Sequence, residues 1–401
     1  MIFERIISKT IKNTTETFPV VLITGPRQVG KTTVFEQYRE PERTYITLDD
    51  PQARVLAQND PALFLQKYKF PLFIDEIQYA PQLFPYIKMA VDREKKKGMF
   101  WLTGSQQFHL MRNVSESLAG RVAILELQGL SQAEKFRRKN LPFLPDNAEN
   151  QNKPFDVNEI YSLILKGSYP ELYANPNIDW DMFYSSYLKT YIERDIRDLI
   201  HISDENLFIR FMKVAAARTG QMLNYSDMAN DVGVSVPTIK SWLSLLETSG
   251  LIFMLQPYYN NLINRAIKTP KLYFYDTGLC CYLSGWQTTE TLSIGAMCGA
   301  ILETYVISEI LKSYQYNGKS VNMYFYRDKE KKEIDLLIER NGKFYPIEIK
   351  RTASPKESDV KNFETVKSKN LPAGKGAIIC FYENFLPLNR ELNIVPISYL
   401  G

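Results

Sequence analysis

The sequence has few of the residues that most often bind transition metals or cross-link chains. It contains only two histidines, His109 and His201, so we do not expect a histidine-based metal site. Its four cysteines show neither the spacing of metal ligands nor the pattern of a disulfide framework. Because disulfides are rare in reducing compartments, this usage favours the cytoplasm.

Long apolar segments are also missing. The longest apolar runs, such as residues 20–23 and 72–74, are the size of strands, whereas a membrane-spanning helix needs about 20 residues. The first residues, MIFERIISKTIKN, contain no apolar core followed by a small-residue cleavage site, so we predict no secretion signal. The net charge of +4 is too small to argue by itself for nucleic acid. With 401 residues, we expect two or three domains and no membrane partner.

The segment VVLITGPRQVGKTTVF, residues 20–35, has the pattern of a phosphate-binding loop. Its aliphatic start predicts a parallel strand buried on both faces, and residues 32–38 can form a helix directly after the loop. The glycines let backbone N–H groups face a polyphosphate, and the helix N-terminus adds its positive end. The residues expected to contact ATP are Gly25, Pro26, Arg27, Gln28, Val29, Gly30, Lys31, Thr32 and Thr33.

Two further strands end in residues suited to the same chemistry. Lys31 would neutralise the β- and γ-phosphates, and the Thr32 hydroxyl would ligate Mg²⁺. The strand in FPLFIDEIQYAP ends in two acids: Asp75 would hold Mg²⁺ through water, and Glu76 would polarise the attacking water. In MFWLTGS, Ser105 is the first candidate for sensing the γ-phosphate, and Thr103 is the second. An Asp-Glu pair alone could simply cap a helix, but with the loop upstream it predicts a Walker-type ATPase.

These segments resemble a known family. ITGPRQVGKTT, LFIDEIQ, LTGSQQF and SLAGRVAILELQGLS are similar to the prokaryotic AAA-type ATPases whose C-terminal half is classed as a domain of unknown function. The resemblance implies that Arg121, in the last segment, is an arginine finger contacting nucleotide. The alternative is a surface arginine that begins a strand. A finger acting in trans would also require a homo-oligomer.

Residues 224–258 have the pattern of a helix-turn-helix followed by a strand, as in a winged helix. Ser226 and Ser235 can cap the two helices, and Gly233 lies at the turn. The exposed face of the second helix offers only one cation, Lys240, where phosphate contact favours several. Binding to DNA and binding to a protein partner therefore remain equal alternatives for this segment.

The C-terminal third contains a hairpin around Asn341-Gly342, a strong signal for a tight type I′ turn. This turn would place Asp335 opposite Glu348, and Glu333 opposite Lys350. Two facing carboxylates destabilise a sheet unless a cation neutralises them, so they suggest a Mg²⁺ or Mn²⁺ site for phosphodiester cleavage, with Lys350 stabilising negative charge. The alternative is a plain hairpin with one wet face, in which Lys350 pairs with Glu333.

This hairpin and the helix before it resemble the PD-(D/E)xK nuclease fold. In that fold a helix commonly supplies a glutamate, and the hairpin supplies Asp and then Glu-x-Lys. The matching residues here are Glu303, Asp335, Glu348 and Lys350. The segments YFYRDKEKKEIDLLIE and YPIEIK also resemble the C-terminal half of the ATPase family. The nuclease-like fold could be present without the chemistry, because fold does not imply function.

The predicted fold class is α/β: an AAA-type P-loop NTPase with a parallel sheet, then a helical and winged-helix segment, then a restriction-endonuclease-like α/β domain. The predicted boundaries are 1–135 for the ATPase domain, 136–204 for a linker and helical connector, 205–262 for the winged helix and 263–401 for the nuclease-like domain. The predicted function is Mg²⁺-dependent ATP hydrolysis coupled to a nuclease-like domain acting on DNA. The alternative is a nucleotide-dependent switch that binds protein or DNA and cuts nothing.

Overall fold

The structure is a computed structural model that describes residues 2–105, 116–147, 154–192, 205–259, 269–365 and 371–400. These described residues form two compact units. The first comprises Met1–Leu130, Thr248–Gly250 and Gln315–Gly318, and the second comprises Ser131–Glu247, Leu251–Tyr314 and Lys319–Gly401. Both histidines, and the predicted boundary at residue 262, lie outside the described residues. Across the described part of the chain, no helix is both long and apolar enough to span a membrane.

The first unit is built on a parallel sheet. Within the described residues its strand order is β2-β3-β4-β1-β5, and every neighbouring pair is parallel. The strands are β1 (Val20–Thr24), β2 (Thr44–Thr47), β3 (Leu72–Asp75), β4 (Phe100–Gly104) and β5 (Val122–Glu126). The helices are α1 (Ile7–Thr17), α2 (Lys31–Tyr38), α3 (Pro51–Asn59), α4 (Pro61–Lys67) and α5 (Leu83–Glu94), with a 3-10 turn at Ile77–Tyr79.

The central strands of this sheet are fully covered, as their aliphatic sequences predict. Every residue of β1, β3 and β4 is buried, which is the pattern of parallel strands with helices on both faces. The core on one side joins Val20, Leu22, Ile74 and Leu102 to apolar residues of the helices α3 to α5. Because parallel strands end at the same edge, the residues that follow β1, β3 and β4 are brought together there.

The second unit contains both helices and strands, and its helices vary in length. They are α6 (Gln132–Lys135), α7 (Val157–Lys166), α8 (Pro170–Ala174), α9 (Trp180–Tyr191), α10 (Glu205–Ala216), α11 (Tyr225–Val232), α12 (Val236–Thr248), α13 (Thr277–Ser284), α14 (Thr289–Ile294) and α15 (Cys298–Gln315). Its strands are β6 (Gln221–Met222), β7 (Ile252–Pro257), β8 (Lys271–Phe274), β9 (Asn322–Arg327), β10 (Glu333–Arg340), β11 (Lys343–Ile349), β12 (Gly376–Cys380), β13 (Leu386–Asn389) and β14 (Leu392–Pro396). Short 3-10 helices lie at Pro145–Asn147, Glu357–Phe363 and Ile397–Tyr399.

Helices α11 and α12 form the predicted helix-turn-helix, with one correction. The cap of α11 is Asn224, whose side chain accepts hydrogen bonds from the N–H groups of Ser226 and Asp227, so the prediction that Ser226 is the cap was wrong. Gly233 ends α11 with a φ of 86°, and the Ser235 hydroxyl accepts from the N–H of Thr238 at 3.2 Å. Asn224 caps the helix in place of Ser226 because its side-chain carbonyl oxygen accepts from two N–H groups of the first turn. The assignment as a winged helix stays a prediction.

The strands of the second unit join in one mixed sheet among the described residues, in the order β13-β14-β12-β11-β10-β9-β7-β8-β6. Strands β10 and β11 pair antiparallel with Leu336 opposite Ile347 and Arg340 opposite Lys343, which is the register predicted from the turn. Asn341 and Gly342 have φ values of 52° and 73°, as a type I′ turn requires. The polar face of the hairpin is partly covered, because Leu337 and Glu348 on that face are buried while Asp335 and Lys350 are half-buried.

Candidate functional site

The phosphate loop connects β1 to α2 and is held by close backbone packing. Gly25 has a φ of 143°, and a Cβ at this position would lie 2.0 Å from the carbonyl oxygen of Leu127. Only glycine fits there. Gly30 precedes α2 in the left-handed conformation, with a φ of 90°. Four residues predicted to contact ATP lie between these glycines: Pro26, Arg27, Gln28 and Val29. Thr33, the last residue of the predicted segment, is exposed in the first turn of α2.

Lys31 lies over this loop. It is 7% exposed, and its Nζ donates to the carbonyl oxygens of Gly25 at 3.0 Å and Pro26 at 2.7 Å. These carbonyls belong to the loop that the sequence predicts will wrap a polyphosphate. An ammonium held there is placed to exchange carbonyl oxygens for phosphate oxygens without a large movement.

Asp75 and Thr32 bring two hard oxygen donors together beside the loop. The Thr32 hydroxyl donates to Asp75 Oδ1 at 2.8 Å, and Thr103 bonds the same oxygen. Tyr45 reaches Oδ2 at 3.3 Å. Burial raises the pKa of Asp75, while the bonds from Thr103 and Thr32 act in the opposite direction. A hydroxyl and a carboxylate in contact fit Mg²⁺, which prefers oxygen ligands.

Glu76 and Ser105 meet at the same edge of the sheet. Glu76 has a φ of 56°, a left-handed conformation that is uncommon for a residue with a side chain. Its carboxylate Oε2 bonds Gln78 and lies 3.5 Å from the Ser105 hydroxyl, while its N–H donates to Thr103 at 3.2 Å. Both candidate sensors therefore touch the acid pair: Thr103 touches Asp75 and Glu76, and Ser105 touches Glu76.

Arg121 lies at the opposite edge of the sheet from the phosphate loop. It precedes β5, and its carbonyl accepts from the N–H of Val20, the first residue of β1. The length of β1 separates this edge from the loop by about 15 Å. The Arg121 guanidinium makes two bonds to Asp92, at 2.6 and 3.0 Å, and lowers the pKa of that acid. Arg121 therefore does not face the phosphate loop of its own chain.

Arg5 holds the phosphate loop, and the sequence analysis missed it. Its side chain is buried and donates to the carbonyls of Val29 at 2.7 Å, Gln128 at 2.8 Å and Gly129 at 3.3 Å. It also lies over the ring of Tyr316, 5.4 Å from the centroid. A single arginine thus fastens the phosphate loop to the segment after β5. No local motif marks Arg5, because the carbonyls that accept its hydrogen bonds lie up to 124 residues away in the sequence.

A second cluster of charges lies in the second unit, on β8, β10, β11 and α15. Lys350 Nζ donates to Glu348 Oε1 at 2.7 Å, and Asp335 Oδ2 accepts from the N–H of Ile349 at 2.8 Å. Glu303, on α15, is close enough for the charge of Asp335 to raise its pKa. The structure therefore brings together the four residues predicted from the nuclease resemblance. The pairing of Lys350 with Glu333 expected for a plain hairpin is replaced by a pairing with Glu348.

These carboxyl groups bind protons more tightly than exposed acids. Burial, followed by the charge of Asp335, raises the pKa of Glu348 to about 8 and that of Glu303 to about 7. Burial also raises the pKa of Asp335, against the N–H bond from Ile349. Like charges that share a buried site oppose one another's ionisation, so this cluster has a strong demand for positive charge.

Two residues of β8 that sequence reasoning missed answer part of that demand. Lys271 is 4% exposed, and its Nζ lies 3.0 Å from Glu303 Oε1 and 2.6 Å from Glu333 Oε1. The Tyr273 hydroxyl also donates to Glu303 Oε1. An alternating strand with a lysine and a tyrosine two residues apart was the only available signal.

The donor set of this second cluster fits a divalent cation in chemistry but not in its present arrangement. Carboxylate oxygens suit Mg²⁺ and Mn²⁺, and Glu348 Oε2 is buried with no hydrogen-bond partner in the described part of the chain. Among the described residues, however, no three His, Cys, Asp or Glu side chains converge as a ready set of metal ligands. Two of the acids are instead bound by lysines, Glu303 by Lys271 and Glu348 by Lys350.

Three family profiles match successive parts of the chain. They are an AAA domain over residues 17–136, a domain of unknown function (DUF8612) over residues 157–290, and a domain of unknown function (DUF4143) over residues 298–400. Together with the geometry of the phosphate loop, the first match identifies an AAA-type P-loop domain and indicates ATP binding and hydrolysis. The prediction of such a domain followed by a domain of unknown function is confirmed in this form.

Several curated proteins are similar over almost the whole chain. Two uncharacterized proteins, from Mycobacterium tuberculosis and Mycobacterium bovis, are each 30% identical over 381 residues, which cover 94% of this chain and 80% of the relative. The chain belongs to the family of these mycobacterial proteins. An uncharacterized protein of Methanocaldococcus jannaschii is 23% identical over 399 residues, covering 90% of this chain and 80% of the relative.

Solved structures resemble the chain more weakly. A Walker-type ATPase of Pyrococcus abyssi has 16% identity and a TM-score of 0.43, covering 70% of this chain and 96% of that one. The RuvB Holliday junction branch migration motor of Thermotoga maritima has 18% identity and a TM-score of 0.30, covering 62% and 88%. At these scores the resemblance says nothing about the activity of this chain.

The contacts of Arg5 generate a prediction about the phosphate loop. We expect Arg5→Ala to weaken nucleotide binding about tenfold, because three carbonyls lose a charged donor and the loop is no longer fixed. Titration of a fluorescent ATP analogue measures this. Arg39→Ala is the matched control, since Arg39 is exposed and donates to the carbonyl of Arg43 at 3.0 Å. Unchanged affinity in a folded Arg5→Ala protein, or an equal loss in the control, would contradict the assignment.

Proposed function

We propose that the first unit is a Mg²⁺-dependent ATPase in which Lys31, Thr32, Asp75 and Glu76 carry the chemistry. The contact between Thr32 and Asp75, 2.8 Å long and beside the Lys31 ammonium, is the observation that supports it most directly. Lys31 would bind the β- and γ-phosphates, while Thr32 and Asp75 would hold Mg²⁺. The cation, when bound, supplies positive charge to the phosphate oxygens.

In this proposal Glu76 is the general base. A water molecule attacks the γ-phosphorus, the bond between that phosphorus and the β–γ bridging oxygen breaks, and the water proton passes to the Glu76 carboxylate. The position of Glu76 supports this role, because its carboxylate lies beside Ser105 at the edge where the loop ends. Ser105, or Thr103 in second place, would bind the γ-phosphate and register its loss.

Two substitutions separate binding from turnover. We expect Lys31→Ala to abolish measurable ATP binding, because no other group in this proposal neutralises the β- and γ-phosphates. We expect Glu76→Gln to retain ATP binding and lower the hydrolysis rate by about a hundredfold or more, since the amide cannot accept the proton. Phosphate release and nucleotide titration measure the two quantities.

Lys96→Ala and Glu94→Gln serve as matched controls for the ATPase prediction. Glu94 is the last residue of α5 and Lys96 follows it, and the contact between their side chains, 3.8 Å long, lies away from the phosphate loop. Both variant proteins should hydrolyse ATP at the wild-type rate. Unchanged hydrolysis in a pure preparation of Lys31→Ala would refute the proposed site.

For Arg121 we propose a finger that acts on nucleotide bound to a neighbouring copy. Its place at the edge of the sheet opposite its own loop supports action in trans rather than in cis. We expect Arg121→Ala to keep ATP affinity while lowering turnover about tenfold or more, because the guanidinium would stabilise charge in the transition state only. The wild-type rate per molecule should also rise with protein concentration. The control is Arg93→Ala, next to Asp92 but pairing with Glu94. A wild-type rate in Arg121→Ala would reduce Arg121 to a surface ion pair.

For the second unit we propose metal-dependent cleavage of phosphodiester bonds in DNA. The half-buried Asp335 and the buried Glu348, with Lys350 bound to Glu348, support it, because the hairpin keeps this charge at a cost that a structural sheet has no reason to bear. Asp335 and Glu348 would hold the cation, with Glu303 contributing from α15. Water that has given up a proton would attack phosphorus, the bond to the sugar oxygen would break, and the departing sugar oxygen would take up a proton from solvent, while Lys350 would stabilise the negative charge that develops.

Incubation of plasmid or branched DNA with Mg²⁺ or Mn²⁺ tests this proposal. We expect wild-type protein to cleave it and Asp335→Asn to lose about a hundredfold or more of that rate, because a ligand of the cation is removed. Asp328→Asn is the matched control, since Asp328 lies in an exposed turn of the same sheet. Activity that survives Asp335→Asn would identify a contaminant. No cleavage by the wild type, together with nucleotide-dependent oligomer size, would favour the switch that binds and does not cut.

A further inference from the structure

Lys271 is a buried cation of the second cluster that neither the nuclease resemblance nor the proposed chemistry uses. It lies on β8, outside the hairpin and outside α15, yet its ammonium contacts acids from both: Glu303 Oε1 at 3.0 Å and Glu333 Oε1 at 2.6 Å. The lysine is 4% exposed. An ammonium taken so far out of water must be paired, so it binds these two carboxylates strongly.

The contact with Glu303 has a direct consequence for metal binding. Lys271 bridges Glu303 on α15 to Glu333 on β10, the strand that also carries Asp335, and both Glu303 and Asp335 would contribute to the metal centre proposed for this unit. An ammonium at 3.0 Å from a carboxylate oxygen and a divalent cation bound to the same oxygen repel one another. Lys271 and a metal ion therefore compete for Glu303.

The cluster also retains an unmet demand for a ligand. Glu348 is 6% exposed, and its Oε2 has no hydrogen-bond partner among the residues that the structure describes, although Lys350 binds its Oε1 at 2.7 Å. A purely structural ion-pair network would satisfy such an oxygen, because leaving it bare is costly. Glu348 thus presents an oxygen that lacks a hydrogen bond in the described part of the chain, while Glu303 is paired with Lys271.

We propose that Lys271 is a built-in competitor of the divalent cation, which holds the second site in a closed state until its ammonium moves off Glu303. Glu333 gives the ammonium an alternative partner at 2.6 Å, so release of Glu303 does not leave the lysine unpaired. This inference rests on the metal site proposed above. It deepens that proposal by naming the residue that controls loading.

Mn²⁺ binding by nucleotide-free full-length protein, followed by the electron paramagnetic resonance of free Mn²⁺, tests the competition without reference to cleavage. We expect Lys271→Met to bind Mn²⁺ about tenfold more tightly than wild type. The added Asp335→Asn substitution should abolish this gain, which assigns it to the second site. Lys271→Arg keeps the charge and should bind as weakly as the wild type.

A double variant guards against misfolding and against a simple charge effect. Lys271→Met with Glu333→Gln removes both members of an ion pair and leaves the net charge of the cluster unchanged, so it should fold and still bind Mn²⁺ more tightly. Equal or weaker binding in both the single and the double variant would overturn the competition. Absence of Asp335-dependent Mn²⁺ binding from every variant would overturn the metal site itself, and the inference with it.

Discussion

A carboxylate removed from water needs a hydrogen-bond donor, a cation or a proton, and both candidate sites depend on how this need is met. At the phosphate loop, Asp75 is buried and accepts hydrogen bonds from three hydroxyl groups, one each on α2, β2 and β4. Hydroxyls satisfy the carboxylate without neutralising it, so its charge remains available to a divalent cation. The buried sheet is what brings these donors to one edge.

The second cluster meets the same need with lysines. Lys350 and Lys271 place ammonium groups on Glu348 and Glu303. Burial, followed by the charge of Asp335, nonetheless raises the pKa of both acids. Ion pairing with these lysines leaves less attraction for an external cation than the hydroxyl shell of Asp75 does. Asp75 therefore accepts hydrogen bonds from uncharged hydroxyls, whereas Glu348 and Glu303 are ion-paired with lysines.

Much of this arrangement was predictable from local patterns. The glycine spacing specified the phosphate loop, since a Cβ at Gly25 would collide with Leu127, and the Asn341-Gly342 turn specified the hairpin register. Capping was only partly predictable: the pattern offered several small polar residues, and Asn224 rather than Ser226 proved to have the reach. Arg5 could not be predicted, because nothing near it in sequence shows that its guanidinium ends beneath the phosphate loop.

The sequence by itself determined the elements whose causes are local: the strand–loop–helix around Lys31, the acids at the end of β3, and the hairpin that carries Asp335 and Glu348. Tertiary structure alone decided which distant charges meet them. It placed Arg121 at the far edge of its sheet, Arg5 under the phosphate loop and Lys271 among the acids of the second cluster. The physical reason is that turns and periodicity are set by neighbours in the chain, whereas charge pairing in a buried site is set by packing between strands and helices far apart in sequence.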